Sequence, residues 1–331
     1  MKPTKVGLVA DPAAPTEVAD RVGRLRPHGK DDGDWDIEVV SQPFTIDCED
    51  IETAVGRLRD QADEHEWDLV VGLTELPLRD ADGSYLLVET DPQCRTAVIS
   101  LPALGGVRVH ARTRAALRRL LTGMVDSTSK EQHRVPLPRR RGRWRLLLGM
   151  VLANRPWLLV PGLKSALVAA LATGAIATIN STVWLLAGSL SWWRLTVATV
   201  VSIALVVGWI VIDGELWDRP ENDSAEARER SRLYNTSTLL TLTTGVLICY
   251  AALYVVNLAW AMFILDPGLM GSYLKQPMGY GELFVLTWFV ASAATVGGAL
   301  GTGLESDEAI RAAAYSKREE ERRERLAGDR D

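Results

Sequence analysis

Few residues of this 331-residue chain combine the types and the spacing that binding or catalysis requires. Asp11 and Thr16 lie in the turn after the first predicted strand, and Glu75 follows the end of a later apolar strand. Open α/β sheets bind ligands where their parallel strands end. Asp11, Thr16 and Glu75 are therefore the candidate ligand-binding residues, although Asp11 and Thr16 could instead cap the helix that follows them.

The residue patterns predict no catalytic residue, no metal site and no cofactor. The turn at Asp11 lacks the patterns GxGxxG and GxxxxGK[ST], which hold phosphates. Cys48, Cys94 and Cys249 lie far apart, without the CxxC or Cys/His pairing of zinc sites. The four His residues are scattered. We therefore expect a non-catalytic domain that binds a small ligand or a protein partner.

Two alternatives stay open. A membrane-anchored enzyme could use Asp11, Thr16 and Glu75 on a nucleotide-like or folate-like small molecule. A transporter or channel component could use a polar pathway along Asn180 and Asn257, the two amides inside the apolar segments described below.

A basic run separates an acidic first part of the chain from an apolar remainder. It contains Arg139, Arg140, Arg141, Arg143 and Arg145. Residues 1–133 carry 16 Lys and Arg against 24 Asp and Glu, and an acidic domain would repel nucleic acid. An Arg beside a membrane gains about 1 kcal/mol from anionic headgroups. These five arginines are interpreted as a membrane-surface anchor, and no nucleic-acid partner is expected.

Four charge-free apolar segments are long enough to cross a bilayer, which takes about 20 helical residues. They are residues 165–187, 195–212, 236–265 and 283–304. Lys and Arg are numerous before the first segment, between the second and third, and after the fourth, whereas the other two links hold only Arg194 and Lys275. Because cytoplasmic loops carry excess positive charge, both termini are expected in the cytoplasm.

Small residues and amides inside these segments indicate close helix packing. Gly174 belongs to a series of small residues spaced by four, and Gly297 and Gly301 form a GxxxG pair. Asn180 and Asn257 are expected to hydrogen-bond between helices. The same faces could serve packing within one chain or the assembly of a homo-oligomer.

The elements that would position Asp11, Thr16 and Glu75 alternate along the first part of the chain. Apolar patterns predict strands at residues 5–10, 36–41, 67–73, 85–89 and 95–101, and helices at residues 15–26, 49–64 and 107–125. The last two strands could form a hairpin. This order predicts an α/β domain with a mixed sheet and helices, followed by a bundle of four transmembrane helices.

The predicted organisation has four parts. Residues 1–133 form the cytoplasmic α/β domain, and residues 134–163 form a basic linker with an interfacial elbow, or alternatively a re-entrant hairpin. Residues 164–304 form the transmembrane domain, and residues 305–331 form a charged helix in the cytoplasm. A cytoplasmic protein partner and anionic lipid headgroups are the expected partners.

Two segments of the first domain have a recognisable layout. They read Asp68-Leu-Val-Val-Gly-Leu-Thr-Glu-Leu-Pro-Leu78 and Ala97-Val-Ile-Ser-Leu-Pro-Ala-Leu104, and a helix follows them. This layout resembles the front half of an archaemetzincin-type zincin domain. The zinc motif HExxH is absent, so the resemblance implies that fold without its metal or its activity.

Three segments of the membrane half carry a second resemblance. They read Asn154-Arg-Pro-Trp-Leu-Leu-Val-Pro-Gly-Leu163, Arg232-Leu-Tyr-Asn235 and Gly298-Ala-Leu-Gly-Thr-Gly-Leu-Glu-Ser-Asp-Glu308. They resemble an uncharacterised family of actinobacterial integral membrane proteins with four spans. The resemblance implies a multi-pass protein of a bacterial plasma membrane and carries over no activity.

Overall fold

The computed structural model describes residues 3–23, 35–45, 51–79, 85–90, 95–125, 134–137, 139–220, 223–275 and 279–299. These residues belong to two compact units, one that ends at Ala153 and one that begins at Asn154.

In chain order the first unit contains β1 (Thr4–Ala10), α1 (Ala14–Gly23), β2 (Trp35–Ser41), α2 (Ile51–Glu64), β3 (Leu69–Thr74), β4 (Leu78–Arg79), β5 (Tyr85–Thr90), β6 (Thr96–Ser100), α3 (Leu101–Leu104), α4 (Val109–Val125), β7 (Arg134–Pro136) and α5 (Arg139–Ala153).

The strands of the first unit form one mixed sheet in the order β2-β1-β3-β6-β5-β4, with β7 paired to β5. β1 is parallel to β2 and β3, and β3 is parallel to β6. β5 runs antiparallel to β4, β6 and β7. The predicted α/β class with a mixed sheet is confirmed, whereas the sequence analysis does not predict the short elements β4, α3 and β7.

Helices cover both faces of the sheet. Leu8 of β1 packs in one core with Val18 of α1 and Leu121 of α4. The next residue, Val9, packs in the core of the other face with Leu58 of α2. Successive side chains of a strand point to opposite faces, so a strand covered on both sides must be apolar almost throughout.

The second unit is mostly helical. In chain order it contains a 3-10 turn (Pro156–Leu158), α6 (Leu159–Gly162), α7 (Lys164–Thr178), α8 (Ser181–Ser189), α9 (Trp192–Asp213), α10 (Ala225–Ile264), α11 (Pro267–Leu274) and α12 (Tyr280–Ala299). Helix α7 packs against α10 and α12, and α9 packs against the same two helices.

Among the described residues, three helices are long and apolar enough to cross a membrane: Trp192–Asp213, Ala227–Ile264 and Tyr280–Gly298. A fourth span is reached only if the segments Gly142–Gly162 and Lys164–Thr178 together count as one. The C-terminal half of the chain is therefore compatible with a multi-pass membrane protein.

The predicted span over residues 165–187 is divided between two helices. Helix α7 ends at Thr178, and α8 begins at Ser181. Between them Asn180 caps α8, because its Oδ1 accepts a hydrogen bond of 2.9 Å from the backbone N–H of Thr182. Asparagine competes for backbone groups in this way, so it starts helices better than it continues them.

The third predicted span overlaps the longer helix α10, and the described part of the fourth predicted span lies in α12. Helix α10 begins at Ala225 and has 40 residues. At 1.5 Å per residue this is about 60 Å, twice the roughly 30 Å of a hydrocarbon core. Helix α12 ends at Ala299. Gly301 and the predicted tail helix, residues 305–331, lie outside the described residues.

Candidate functional site

The candidate site lies where the central parallel strands of the first unit end. From β1 the chain crosses through α1 to β2 on one side, and from β2 it crosses through α2 to β3 on the other side. Such a reversal of strand order opens a crevice at the carboxyl ends of the two diverging strands, here β1 and β3. Asp11 follows β1, Glu75 follows β3, and Ser100 ends β6.

Asp11 is fully buried, and its carboxylate binds the chain segment that follows β2. Its Oδ2 accepts a hydrogen bond of 2.5 Å from the hydroxyl of Thr45, and its Oδ1 accepts one of 3.2 Å from the backbone N–H of Phe44. Its own N–H donates to the carbonyl of Leu73 at 3.0 Å. The carboxylate therefore ties β1 to a distant loop.

Thr16 lies in the first turn of α1, beside Asp11. Its hydroxyl donates to the carbonyl oxygen of Asp11 at 2.9 Å and lies 2.8 Å from the hydroxyl of Ser41. The structure thus brings Asp11 and Thr16 together through the backbone of Asp11. Of the two side chains, Thr16 is the one near solvent.

Glu75 is buried, with 7% of its surface exposed, in the turn that follows β3. The preceding hydroxyl, that of Thr74, accepts from the backbone N–H of Leu76 at 3.0 Å. The hydroxyl of Ser100 donates to the carbonyl of Leu76 at 2.8 Å, and Ser100 is also the partner of Thr74 in the β3–β6 register. Hydroxyl groups therefore order the turn that carries Glu75.

Thr45, Thr74 and Ser100 are buried polar residues that the sequence analysis misses. Two of them could be recognised in the sequence, because Thr74 and Ser100 are the polar last residues of apolar strands. Thr45 could not, since its role depends on a carboxylate 34 positions away.

This edge presents two buried carboxyl groups, those of Asp11 and Glu75, and several hydroxyl groups. Because Asp11 is fully buried and its oxygens accept hydrogen bonds from Phe44 and Thr45, Asp11 is poorly placed to act as a general base. Within the described ranges, no group of three or more His, Cys, Asp or Glu could hold a metal ion.

The predicted membrane-surface arginines belong to α5 in the first unit. The side chains of Arg139, Arg140 and Arg141 lie outside the described residues, and the side chain of Arg143 is exposed. Arg145 bends back onto its own unit, where its Nη2 donates to the carbonyl of Leu104 at 3.0 Å.

A concave pocket of about 690 Å³ lies beside Arg145 on the first unit. We call it the arginine pocket, after Arg112 and Arg119 of α4 and Arg145 of α5, and its apolar lining includes Trp144 and Leu148. Neither Arg112 nor Arg119 is among the residues predicted from the sequence. Their spacing indicates a shared surface, because residues seven apart lie on one face of a helix.

The predicted packing residues take different positions in the second unit. Gly174 of α7 is buried against Asn257 of α10, so that a Cβ at Gly174 would collide with the amide of Asn257. A Cβ at Gly297 would make only ordinary contacts with Thr173 of α7. The neighbouring Gly298 approaches α7 more closely.

A polar cluster that the sequence analysis does not predict joins α9, α10 and α12. The Thr199 hydroxyl lies 3.0 Å from that of Ser292 and 3.2 Å from that of Tyr250. The indole N–H of Trp288 donates to Thr199 at 2.8 Å. Hydrogen bonds of this kind hold apolar helices together and fix their register.

No known protein family, curated protein or solved structure matches this chain. The two resemblances read from the sequence therefore stay predictions.

Proposed function

We propose that this chain is an integral protein of a bacterial plasma membrane whose cytoplasmic α/β domain binds a small polar ligand and performs no catalysis. The observation that carries the proposal is the convergence of Asp11, Thr74, Glu75 and Ser100 on the carboxyl ends of β1, β3 and β6. In open α/β sheets this crevice is the usual place for a ligand.

The engagement of Asp11 favours binding over catalysis. A catalytic carboxylate must be reached by the reacting group, whereas Asp11 is fully buried and its oxygens accept hydrogen bonds from the segment after β2. In this proposal Asp11 shapes the crevice, Thr16 lies at its rim, and Glu75 supplies the carboxyl group that recognises a hydrogen-bond donor of the ligand.

The surface of the second unit supports the membrane location. Large apolar side chains face outward from its helices: Phe263 is 83% exposed, Ile212 78% and Trp192 75%. Such a large apolar surface is stable in contact with lipid chains, whereas its exposure to water is unfavourable. The four-span topology with both termini in the cytoplasm belongs to the proposal and depends on the distribution of Lys and Arg.

Native mass spectrometry on the full-length protein, extracted gently from its own membrane, tests the ligand. We expect an additional small-molecule mass on the wild-type protein. The variant Glu75→Gln should lose that mass, because the amide cannot replace the carboxylate as a partner of a charged donor.

The matched control is Glu64→Gln. Glu64 is exposed at the end of α2, which leads into the opposite, amino-terminal end of β3. This variant should keep the mass. Wild-type protein that carries no added mass, or only masses the size of proteins, would contradict the proposal and favour a scaffold for a cytoplasmic protein partner.

A further inference from the structure

We infer that the arginine pocket of the first unit binds the phosphate group of an anionic phospholipid. The inference uses the membrane location proposed above, but it is independent of the ligand at the carboxyl ends of the strands. It rests on the convergence of two guanidinium groups, on the absence of a protein counter-charge in the described residues, and on the mixed apolar and cationic lining.

Two guanidinium groups meet at one backbone oxygen. Arg112 Nη1 donates to the carbonyl of Leu104 at 2.7 Å, and Arg145 Nη2 donates to the same carbonyl at 3.0 Å. Each guanidinium has five N–H donors, so these single bonds leave most of the donors available. Paired forks of N–H donors match the oxygens of a phosphate.

The backbone turn that allows this meeting requires a glycine. Gly105 has a φ of 80°, a conformation that favours glycine over other residues. A Cβ there would lie 2.9 Å from Arg112 Nη1 and 3.1 Å from the side chain of Arg145. The turn after α3 therefore leaves room for both arginines against the Leu104 carbonyl.

No carboxylate among the described residues forms an ion pair with Arg112, Arg119 or Arg145. Burial, and then the nearby charge of Arg112, lower the pKa of Arg145. Both effects oppose positive charge at this place, and a bound anion would offset both. Among the described residues, the arginines of the pocket therefore have no carboxylate as an ion-pair partner, and a bound anion would compensate their charge.

The rest of the lining selects a lipid over free phosphate. Trp144 is 68% exposed, and Leu148 and Val107 are about half exposed at the same pocket. Tryptophan concentrates at the level of lipid headgroups, where one part of the ring contacts apolar groups and another meets water. A phospholipid provides a phosphate for the arginines and apolar groups for these side chains.

Lipid binding by the full-length protein in a neutral detergent tests the inference. Native mass spectrometry compares phosphatidylglycerol with phosphatidylcholine of the same acyl chains. The wild-type protein should retain phosphatidylglycerol preferentially. The variant Arg112→Gln/Arg119→Gln should bind it at least about tenfold more weakly, because each Arg near a headgroup contributes about 1 kcal/mol.

Arg118→Gln is the matched control. Arg118 is the neighbour of Arg119 on α4, is also exposed, and does not line the pocket. It should bind phosphatidylglycerol like the wild type. Because Arg112 also bonds to Leu104, the single variant Arg119→Gln, which leaves that bond in place, should weaken binding by a smaller factor.

Three results would overturn the inference: equal retention of both lipids by the wild type, unchanged binding in Arg112→Gln/Arg119→Gln, or displacement of the lipid by millimolar inorganic phosphate alone. The last result would indicate a site for free phosphate. Glu75→Gln should bind phosphatidylglycerol normally, so failure of the lipid site and failure of the proposed ligand site are distinguishable.

Discussion

The contact between Arg21 and His110 joins helices α1 and α4 of the first unit. Arg21 Nη1 lies 2.8 Å from His110 Nε2. A guanidinium can only donate hydrogen bonds, so Nε2 of His110 accepts and carries no proton. The imidazole is therefore neutral in this contact. Burial, and then the charge of Arg21, lower the pKa of His110, although Glu17 acts in the opposite direction.

This contact predicts a pH dependence of stability. Because the pKa of folded His110 is below that of the unfolded chain, acidification protonates the unfolded state first. The contribution of His110 is therefore fully present above about pH 6.5 and decreases as the pH falls toward the folded pKa. The thermal midpoint of the full-length protein in detergent should fall more than that of His110→Gln between about pH 7.5 and 5.5.

The comparison of these two proteins isolates His110, because carboxylates elsewhere titrate equally in both. Glutamine keeps an acceptor for Arg21 and has no charge to gain. Equal decreases of the two midpoints would show that His110 carries no part of the pH dependence.

Asp11 allows a prediction about a single backbone amide. Asp11→Ala should leave the N–H of Phe44 and the hydroxyl of Thr45 without their present acceptor, at a cost of about 1–3 kcal/mol. Hydrogen exchange should accelerate at Phe44 in the full-length variant. Asp11→Asn keeps one acceptor oxygen and should show a smaller effect, and unchanged exchange in Asp11→Ala would contradict the role assigned to this carboxylate.

The packing of α7 against α10 depends on the absence of a side chain at Gly174. Gly174→Ala should lower the thermal midpoint, because overpacking of a tight contact costs about 1–3 kcal/mol. Gly208→Ala in α9 is the control, since a Cβ there meets nothing within 4 Å and alanine favours a helix. Its midpoint should be unchanged or higher.

A double-mutant cycle separates collision from a general effect of alanine at Gly174. Asn257→Ala removes the group that the new Cβ would meet. The double variant Gly174→Ala/Asn257→Ala should therefore be less destabilised than the sum of the two single changes. Strict additivity would contradict a direct contact between these positions.

The two units of the chain suit different surroundings. In the first unit the apolar side chains of β1, α1, α2 and α4 are buried in cores on the two faces of the sheet. In the second unit the helices bury small and polar side chains, such as Ala170, Gly174 and Ser292, together with part of their large apolar side chains. Other large apolar side chains of the same helices, such as Phe263 and Ile212, are exposed. This distribution is typical of helices whose solvent is lipid.

The proposed topology predicts which links are reached from outside an intact cell. Ser191→Cys, in the link before α9, should react with a membrane-impermeant maleimide on intact cells. Asp223→Cys, in the link before α10, should react only after permeabilisation, because the arginine-rich link is expected inside. The unsubstituted protein controls for the native cysteines, and the reverse labelling pattern would contradict the orientation.

The amino-acid sequence alone determines most of the elements. Strands β1, β2, β3, β5 and β6 and helices α1, α2 and α4 occur where the apolar patterns predict them, and α9, α10 and α12 occur where long charge-free segments predict helices. These signals are local, because a strand or helix repeats its buried positions every two or about 3.6 residues. One asparagine inside a long apolar segment is a weaker signal for the end of a helix than the segment is for a continuous helix. The break at Asn180 is therefore not predicted.

The candidate sites need the tertiary structure. Glu75 and Asp11 follow strands in the sequence, but the strand order decides that these strands are neighbours. Thr45 binds Asp11 from 34 positions away in the sequence. Arg145 binds the carbonyl of Leu104 from 41 positions away, and Arg112 binds the same carbonyl. Sequence periodicity reports which face of an element is buried, whereas only the packing of distant elements decides which side chains come within hydrogen-bonding distance.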